Sequence, residues 1–391
     1  MTIESARPQG SAPPRIVVLR EGRAGDDRQL VNLAEALGRP YEVVPFRVSV
    51  GRVIRDRILD ALHLSGPPRG RACWGPPWPD LVLASGGRAV STAIRLRRVS
   101  GGRTRVVFVG RPWARLDRFD LVVTTPQYGL PERDNVIRNL LPLNRLNPDA
   151  IDDARHRWAD RLCALPRPHI AVLLGGNSSS YRLDAETARR IATRASARAN
   201  ALGGTLLVTS SPRTPKAALE AFAAAMTAPG ELYRWSPDDP DNPLTAYVAS
   251  ADRLMVTGES ASMLAEAFRT GKPVEVLPLR KRRRARLLTG APDGAGAPVA
   301  TLLATLVRRI AERGLVTPPR DLTRLHDALE AATVVATSDG AARCLTQDED
   351  MGRAVAAIEA LLAQHGQTAY KTTARGVALA ARPTMPNEQS G

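Results

Sequence analysis

Lysine is almost missing from this 391-residue chain. Lys216, Lys272, Lys281 and Lys371 are the only four, although Lys and Arg together number 55. The formal charge of +16 is therefore an arginine charge. Such an excess invites a nucleic-acid partner. Aromatic residues, however, make up only 4% of the chain, and none interleave with basic residues as base stacking requires. A compositional bias accounts for the arginine, and no nucleic acid is expected. Three cysteines, Cys73, Cys163 and Cys344, are odd in number and far apart. They exclude a disulfide framework and point to a reducing, cytoplasmic compartment. The histidines His63, His156, His169, His326 and His365 are scattered without ligand spacing, so no metal is expected. No uncharged apolar run reaches eighteen residues, which argues against a membrane span.

What is present is an alternating α/β pattern. The length calls for more than one core, and 43% hydrophobic with 24% charged residues is a globular composition. Apolar strands are predicted at 15–20, 43–46, 81–84, 105–109, 121–124 and 136–138, with helices at 26–38, 50–64 and from about Arg88. After the prolines of 142–168 a second series follows. Its strands lie near 169–174, 205–208, 231–234, 253–257 and 273–277. Its helices lie near 184–201, 214–227, 243–251 and 262–270. Strands apolar at every position mean parallel sheets covered on both faces. Helices are also predicted at 298–313, 319–334 and 350–364. The layout is a disordered leader (1–14), two Rossmann-like domains (15–145 and 168–318) joined by a linker (146–167), C-terminal helices (319–365) and a disordered tail (366–391).

The chemistry gathers in loops after strands. Gly258-Glu259-Ser260-Ala261-Ser262 leads from a strand into a helix. The free N–H groups there, around Ser260, Ala261, Ser262 and Met263, suit a phosphate or pyrophosphate. Glu266, one turn further, can grip ribose hydroxyls. Ser and Gly also cap helices with no ligand present. Arg213, beside Ser210 and followed by Thr214 as a helix cap, can pair with a diphosphate. In the first half, Glu21-Gly22-Arg23-Ala24-Gly25-Asp26 offers Asp26 or Glu21 as a general base for an acceptor hydroxyl, with Arg23 on a phosphate. Asp26 as a plain helix cap is the competing reading. Ser85-Gly86-Gly87-Arg88 can hold acceptor or phosphate, or form a packing turn. Asp239-Pro240-Asp241 mimics a metal-binding D-x-D in an Asp/Pro-rich turn. Arg280–Arg284 reads as a solvated loop or a contact to anionic lipid.

Four segments carry a resemblance: 20–29, 79–88, 172–177 with 208–215, and 242–274. The last resembles the sugar-nucleotide site of GT-B glycosyltransferases. Together they resemble the "elongated mitochondria" family, named for a plant mitochondrial-fission factor. Glu21 and Pro212 depart from that family's usual Asp and Arg. The resemblance implies two Rossmann-like domains facing across a cleft (GT-B type) and places Gly175, Gly176, Asn177 and Ser178 near nucleotide phosphates. It implies a nucleoside-diphosphate sugar as substrate, no cofactor, and transfer to a cell-envelope or lipid-linked acceptor. It favours Asp26 slightly over Glu21 as the base and leaves Asn242-Pro243 as a base contact or a helix start. A non-catalytic adaptor on the same scaffold, or a nucleotide-sugar epimerase, are the alternatives.

Residues 1–150 carry 24 Arg against 14 Asp and Glu, a net charge of +10. With the amphipathic helix at 50–64 this suggests peripheral docking on an anionic membrane, the competing reading being a helix packed on its own sheet, as any surface helix of an α/β domain shows such a stripe. The protein should co-sediment with anionic but not neutral vesicles at low salt. Equal pelleting with both, or none with either, counts against it.

Overall fold

The computed structural model describes residues 13–45, 51, 75–144, 148–237, 239–289, 297–314, 316–332 and 349–364. The first sheet contains β1 (Ile16–Arg20), β2 (Tyr41–Pro45), β3 (Leu81–Ser85), β4 (Arg105–Val109), β5 (Leu121–Thr124) and β6 (Val136–Arg138), in the order β2-β1-β3-β4-β5-β6. The second contains β7 (His169–Leu174), β9 (Thr205–Ser210), β10 (Gly230–Tyr233), β11 (Arg253–Thr257) and β12 (Val274–Leu277), in the order β10-β9-β7-β11-β12. Every pairing in both sheets is parallel. A short antiparallel ribbon joins β8 (Tyr181–Arg182) to β13 (Arg280–Lys281). This is the expected α/β architecture of two Rossmann-like domains facing across a cleft, the GT-B arrangement.

The strand compositions follow from burial on two faces. In β1, Val17 and Leu19 enter one apolar cluster while Ile16 and Val18 enter another. In β3, Val82 and Ala84 separate from Leu81 and Leu83 in the same way. Successive side chains leave a strand on opposite faces, so a strand covered on both sides is apolar throughout. Helix Gly86–Val99 covers one face with Ala89, Val90, Ala93 and Leu96. Helix Ala24–Ala36 covers the other with Leu30, Leu33 and Ala34. The helix at 349–364 returns to this first domain. Its Ala354 and Ile358 are fully buried against the same face, Glu359 takes both Arg39 donors at 2.9 and 2.7 Å, and Asp350 accepts the Leu140 and Leu141 N–H groups. Leu322, Leu325 and Leu329, in and beside helix Thr323–Ala332, pack on the second domain.

The proline-rich stretch read as an interdomain linker contains a regular helix, Pro148–Cys163. Its Trp158 meets Tyr247 edge to face, with ring centroids 5.9 Å apart. Four prolines marked the ends of this segment and concealed the helix between them. The leader up to 12, the amphipathic helix at 50–64 apart from Gly51, and the tail from 365 lie outside the described residues.

Each sheet reverses its strand order once, between β1 and β3 and between β7 and β11. Loops leaving the carboxyl ends of those strands flank a crevice, the usual ligand position in open α/β sheets. In the first crevice the Glu21 carboxylate accepts the Ala89 N–H at 2.5 Å and presses on Gly86. Gly86 has φ +78°, and a Cβ there would overlap the carboxylate. Gly86→Ala should therefore cost about 1–3 kcal/mol through backbone strain and this overlap. Thermal or denaturant unfolding checks it, and an unchanged midpoint would contradict the packing.

Candidate functional site

One cavity of about 490 Å³ lies between the carboxyl ends of the two sheets. This size suits a ligand larger than a monosaccharide. The first domain lines it with Arg23, Gly25 and Asp26 after β1, with Thr124 and Thr125 at the end of β5, and with Asn139 after β6. The second lines it with Ser178 after β7, Arg213 after β9, and Glu259 to Ser262 after β11. Arg320, between two C-terminal helices, closes one side.

On the second domain, Ser260 is the N-cap of helix Ala261–Phe268 and makes no side-chain cap bond. The first N–H groups of that helix have no intrahelical acceptor and face the cavity side, where Ala261 and Ser262 are lining residues. Arg213 stands across from them. Its Nη2 lies 3.4 Å from Glu259 Oε1, and that oxygen also accepts the Gly176 N–H at 2.6 Å. A Cβ on Gly175 would overlap Glu259, and one on Gly176 would overlap the Arg213 carbonyl. The two glycines thus let the chain approach itself, and the Asn177 N–H reaches the Arg213 carbonyl at 3.0 Å. Ser178 lines the cavity, while its Oγ accepts from Tyr181 N and its carbonyl accepts from Arg282.

Several expected residues point elsewhere. The Ser210 hydroxyl accepts the Trp235 N–H at 2.8 Å, inside the second domain. Met263 packs against the apolar core. Thr214 does not cap the following helix. The N-cap is Pro215, and the Thr214 hydroxyl donates back to the Leu174 and Gly175 carbonyls. Glu266 reaches out of the second domain and pairs with Arg28 at 3.0 Å. Burial pushes its pKa up, and Arg28 opposes that. Asn242 Oδ1 accepts the Leu244 N–H, so it starts a helix. Asp239 accepts from the Tyr233 hydroxyl and the Asp241 N–H, which accounts for the D-x-D turn. Lys272 donates to the Val248 and Ala249 carbonyls at a helix end, and burial pushes its pKa down to about 8. In the basic run Arg280, Arg282, Arg283 and Arg284 are exposed, while Lys281 pairs with Asp321 at 2.6 Å and a helix, Arg283–Thr289, begins within the run.

On the first domain, Asp26 is not a helix cap. The N-cap of helix Ala24–Ala36 is Arg23, with no side-chain bond. Asp26 faces the cavity 3.8 Å from Arg320, whose guanidinium lies 5.2 Å from the centre of the Tyr128 ring. The loop is held instead by Asp27, which accepts the Glu21 and Gly22 N–H groups, both at 3.0 Å. Glu21 directly follows β1. It sits at the start of helix Gly86–Val99, buried, and burial pushes its pKa up against the Ala89 and Arg88 N–H groups. Ser85, Gly86 and Arg88 surround that contact and are not cavity-lining residues.

The sequence reading missed Glu259, Arg320, Thr124, Gln127 and Asn139. Thr124 and Asn139 lie at the carboxyl ends of β5 and β6, away from the β1/β3 reversal, so the switch-point rule does not single them out. Thr124 Oγ1, Gln127 Oε1 and both amide atoms of Asn139 are buried with no hydrogen-bond partner among the described residues. Buried polar groups are normally paired, so this floor is polar and unsatisfied.

The sequence profile of the family described as "Mitochondrial fission ELM1" matches residues 24–337. Mitochondrial fission protein ELM1 of Arabidopsis thaliana is 28% identical over 223 residues, 51% of each chain, so this chain spans about half the length of that curated relative. Among solved structures, a UDP-N-acetylglucosamine 2-epimerase is 13% identical with a TM-score of 0.43, covering 97% of this chain and 99% of its own. MurG of Acinetobacter baumannii is 13% identical with a TM-score of 0.40, covering 87% and 98%. Matched over most of its length by that profile, the chain belongs to the mitochondrial fission ELM1 family.

Proposed function

We propose that the cleft binds a nucleoside-diphosphate sugar and transfers the sugar to an acceptor, at the cytoplasmic face of a membrane and without a metal. One observation carries this reading. A single cavity brings a helix N-terminus and Arg213 from the second domain against Asp26 and Arg23 from the first, with Arg320 from the C-terminal segment closing one side. The diphosphate takes the helix start at Ser260–Met263 and Arg213, where dipole and guanidinium stabilise the departing charge. Glu266 exchanges its Arg28 partner for the ribose hydroxyls. Asp26 takes the acceptor proton, with Arg320 holding its orientation. Arg23 at the mouth holds an acceptor phosphate, as a lipid-linked or envelope acceptor would supply. The unsatisfied floor of Thr124, Gln127 and Asn139 receives hydroxyl or amide groups, so it replaces Ser85, Gly86 and Arg88 as the acceptor side. Glu21, committed to a helix start, is not the base.

A thermal-shift screen of nucleotides and nucleotide sugars on the purified protein is the first test. If no nucleotide raises the melting temperature, the transferase reading falls and a non-catalytic scaffold takes its place. Glu266→Ala should weaken nucleoside-diphosphate binding by about 1–3 kcal/mol, as expected for losing a charged hydrogen-bond partner. Unchanged affinity in calorimetry would remove Glu266 from the ribose site. Asp26→Asn should lower turnover by about 10²–10⁴-fold while nucleotide affinity is preserved. If turnover survives and only stability falls, Asp26 is structural.

A further inference from the structure

Glu259 is the one carboxylate on the diphosphate side of the cavity, and its side chain is fully buried. Oε1 is committed to the Gly176 N–H and lies near Arg213. Oε2 has no hydrogen-bond partner among the described residues. The carboxylate therefore occupies one of the N–H groups and the guanidinium that an incoming phosphoryl group would use. Two anions cannot share that seat in a dry crevice, where their repulsion is poorly screened. With a proton on Oε2 the conflict becomes a contact. The carboxylic acid keeps the Gly176 bond through Oε1 and donates Oε2–H to a phosphoryl oxygen, filling the vacant valence on both sides.

We propose that Glu259 binds the ligand's diphosphate in its protonated form, so that each diphosphate bound brings one proton onto Oε2. This rests on the diphosphate reading of the cleft and adds the charge state at which the site accepts its ligand. Burial already favours the acid, pushing the Glu259 pKa up against the Gly176 N–H, the Thr257 hydroxyl and Arg213. The other ionisable groups around the site are His326, whose Nε2 contacts the Gly258 carbonyl at 2.9 Å, and Asp26, Arg23 and Arg320 across the cavity. Burial pushes the His326 pKa down, away from the pH range of the test. The sign follows directly. A proton taken up on binding makes affinity fall as pH rises above the Glu259 pKa, by about tenfold per unit for one linked proton.

The test is calorimetric titration of uridine, guanosine and adenosine diphosphates and of inorganic pyrophosphate into the wild-type protein and Glu259→Gln. It is run at about pH 7 and about pH 9, in buffers of different ionisation heat. Glutamine has the shape and donor of the protonated acid. Glu259→Gln should bind at least about tenfold more tightly than wild type at the higher pH, with a flatter pH dependence. At the higher pH wild type should take up close to one proton more than the variant. The ligand's own ionisation is common to both proteins and cancels in that difference. Equal affinities and equal proton uptake overturn the proposal and leave the diphosphate reading standing. Absence of binding by both proteins removes both. If Glu259→Gln does not fold, wild-type uptake at the higher pH with the nucleoside diphosphates decides alone, because they are already fully ionised there. Uptake near one proton supports the proposal, and none overturns it.

Discussion

A glutamate of the chain itself fills the crevice at the reversal point of each sheet, and the loops of the cleft are built around these two carboxylates. Glu21 follows β1 and accepts the Ala89 N–H at the start of the helix after β3. Glu259 follows β11 and accepts the Gly176 N–H after β7. The arrangement repeats across two domains without visible sequence repetition. In both, a carboxylate from one side of the crevice ties down backbone from the other side. A glycine at each contact, Gly86 and Gly175, supplies the space that a Cβ would remove. A buried carboxylate is costly unless hydrogen-bonded, and burial pushes both pKa values up. The domains nevertheless differ in consequence. Glu21 is closed off from the cavity, and Glu259 lines it.

The two domains are joined by Leu140 and Leu141, which enter the second domain's apolar cluster, and by polar contacts across the cleft. Arg28 pairs with Glu266, Arg269 reaches the Pro142 carbonyl at 2.6 Å, and Gly25 comes close to Ser262. Arg28 is more than half exposed, so its pair contributes about 0–1 kcal/mol. A pair this weak does not lock the two domains together. A ligand that takes Glu266 from Arg28 changes the balance by an amount comparable to the pair itself. The C-terminal helices work in the opposite sense: the helix at 349–364 buries apolar surface on the first domain, while Leu322, Leu325 and Leu329 bury theirs on the second. Arg320, just before Leu322, meets Asp26 and Tyr128 of the first domain at the cleft edge.

By itself the sequence determined the sheets. Runs such as Ile16–Arg20 and Arg253–Thr257 are apolar at nearly every position, and two-sided burial leaves them no other stable use. Glycines and hydroxyls after those strands marked the loops that surround the cavity, because backbone must turn sharply at a strand's carboxyl end. Only the tertiary structure decided which side chains enter the cavity. Asp26 and Asp27 are neighbours with the same chemistry, yet one faces the cleft and the other holds Glu21 and Gly22. Ser210 ends β9 and Ser260 follows β11, yet the Ser210 hydroxyl takes the Trp235 N–H inside the second domain while Ser260 is the N-cap of a cleft helix. Arg320 enters from far along the chain, with no local pattern to announce it. The physical reason is one of range. Strand burial is a periodic, local property of the chain. The direction of a loop side chain depends on which carbonyl, N–H or opposite charge another loop brings near, and that is settled only when both sheets have packed.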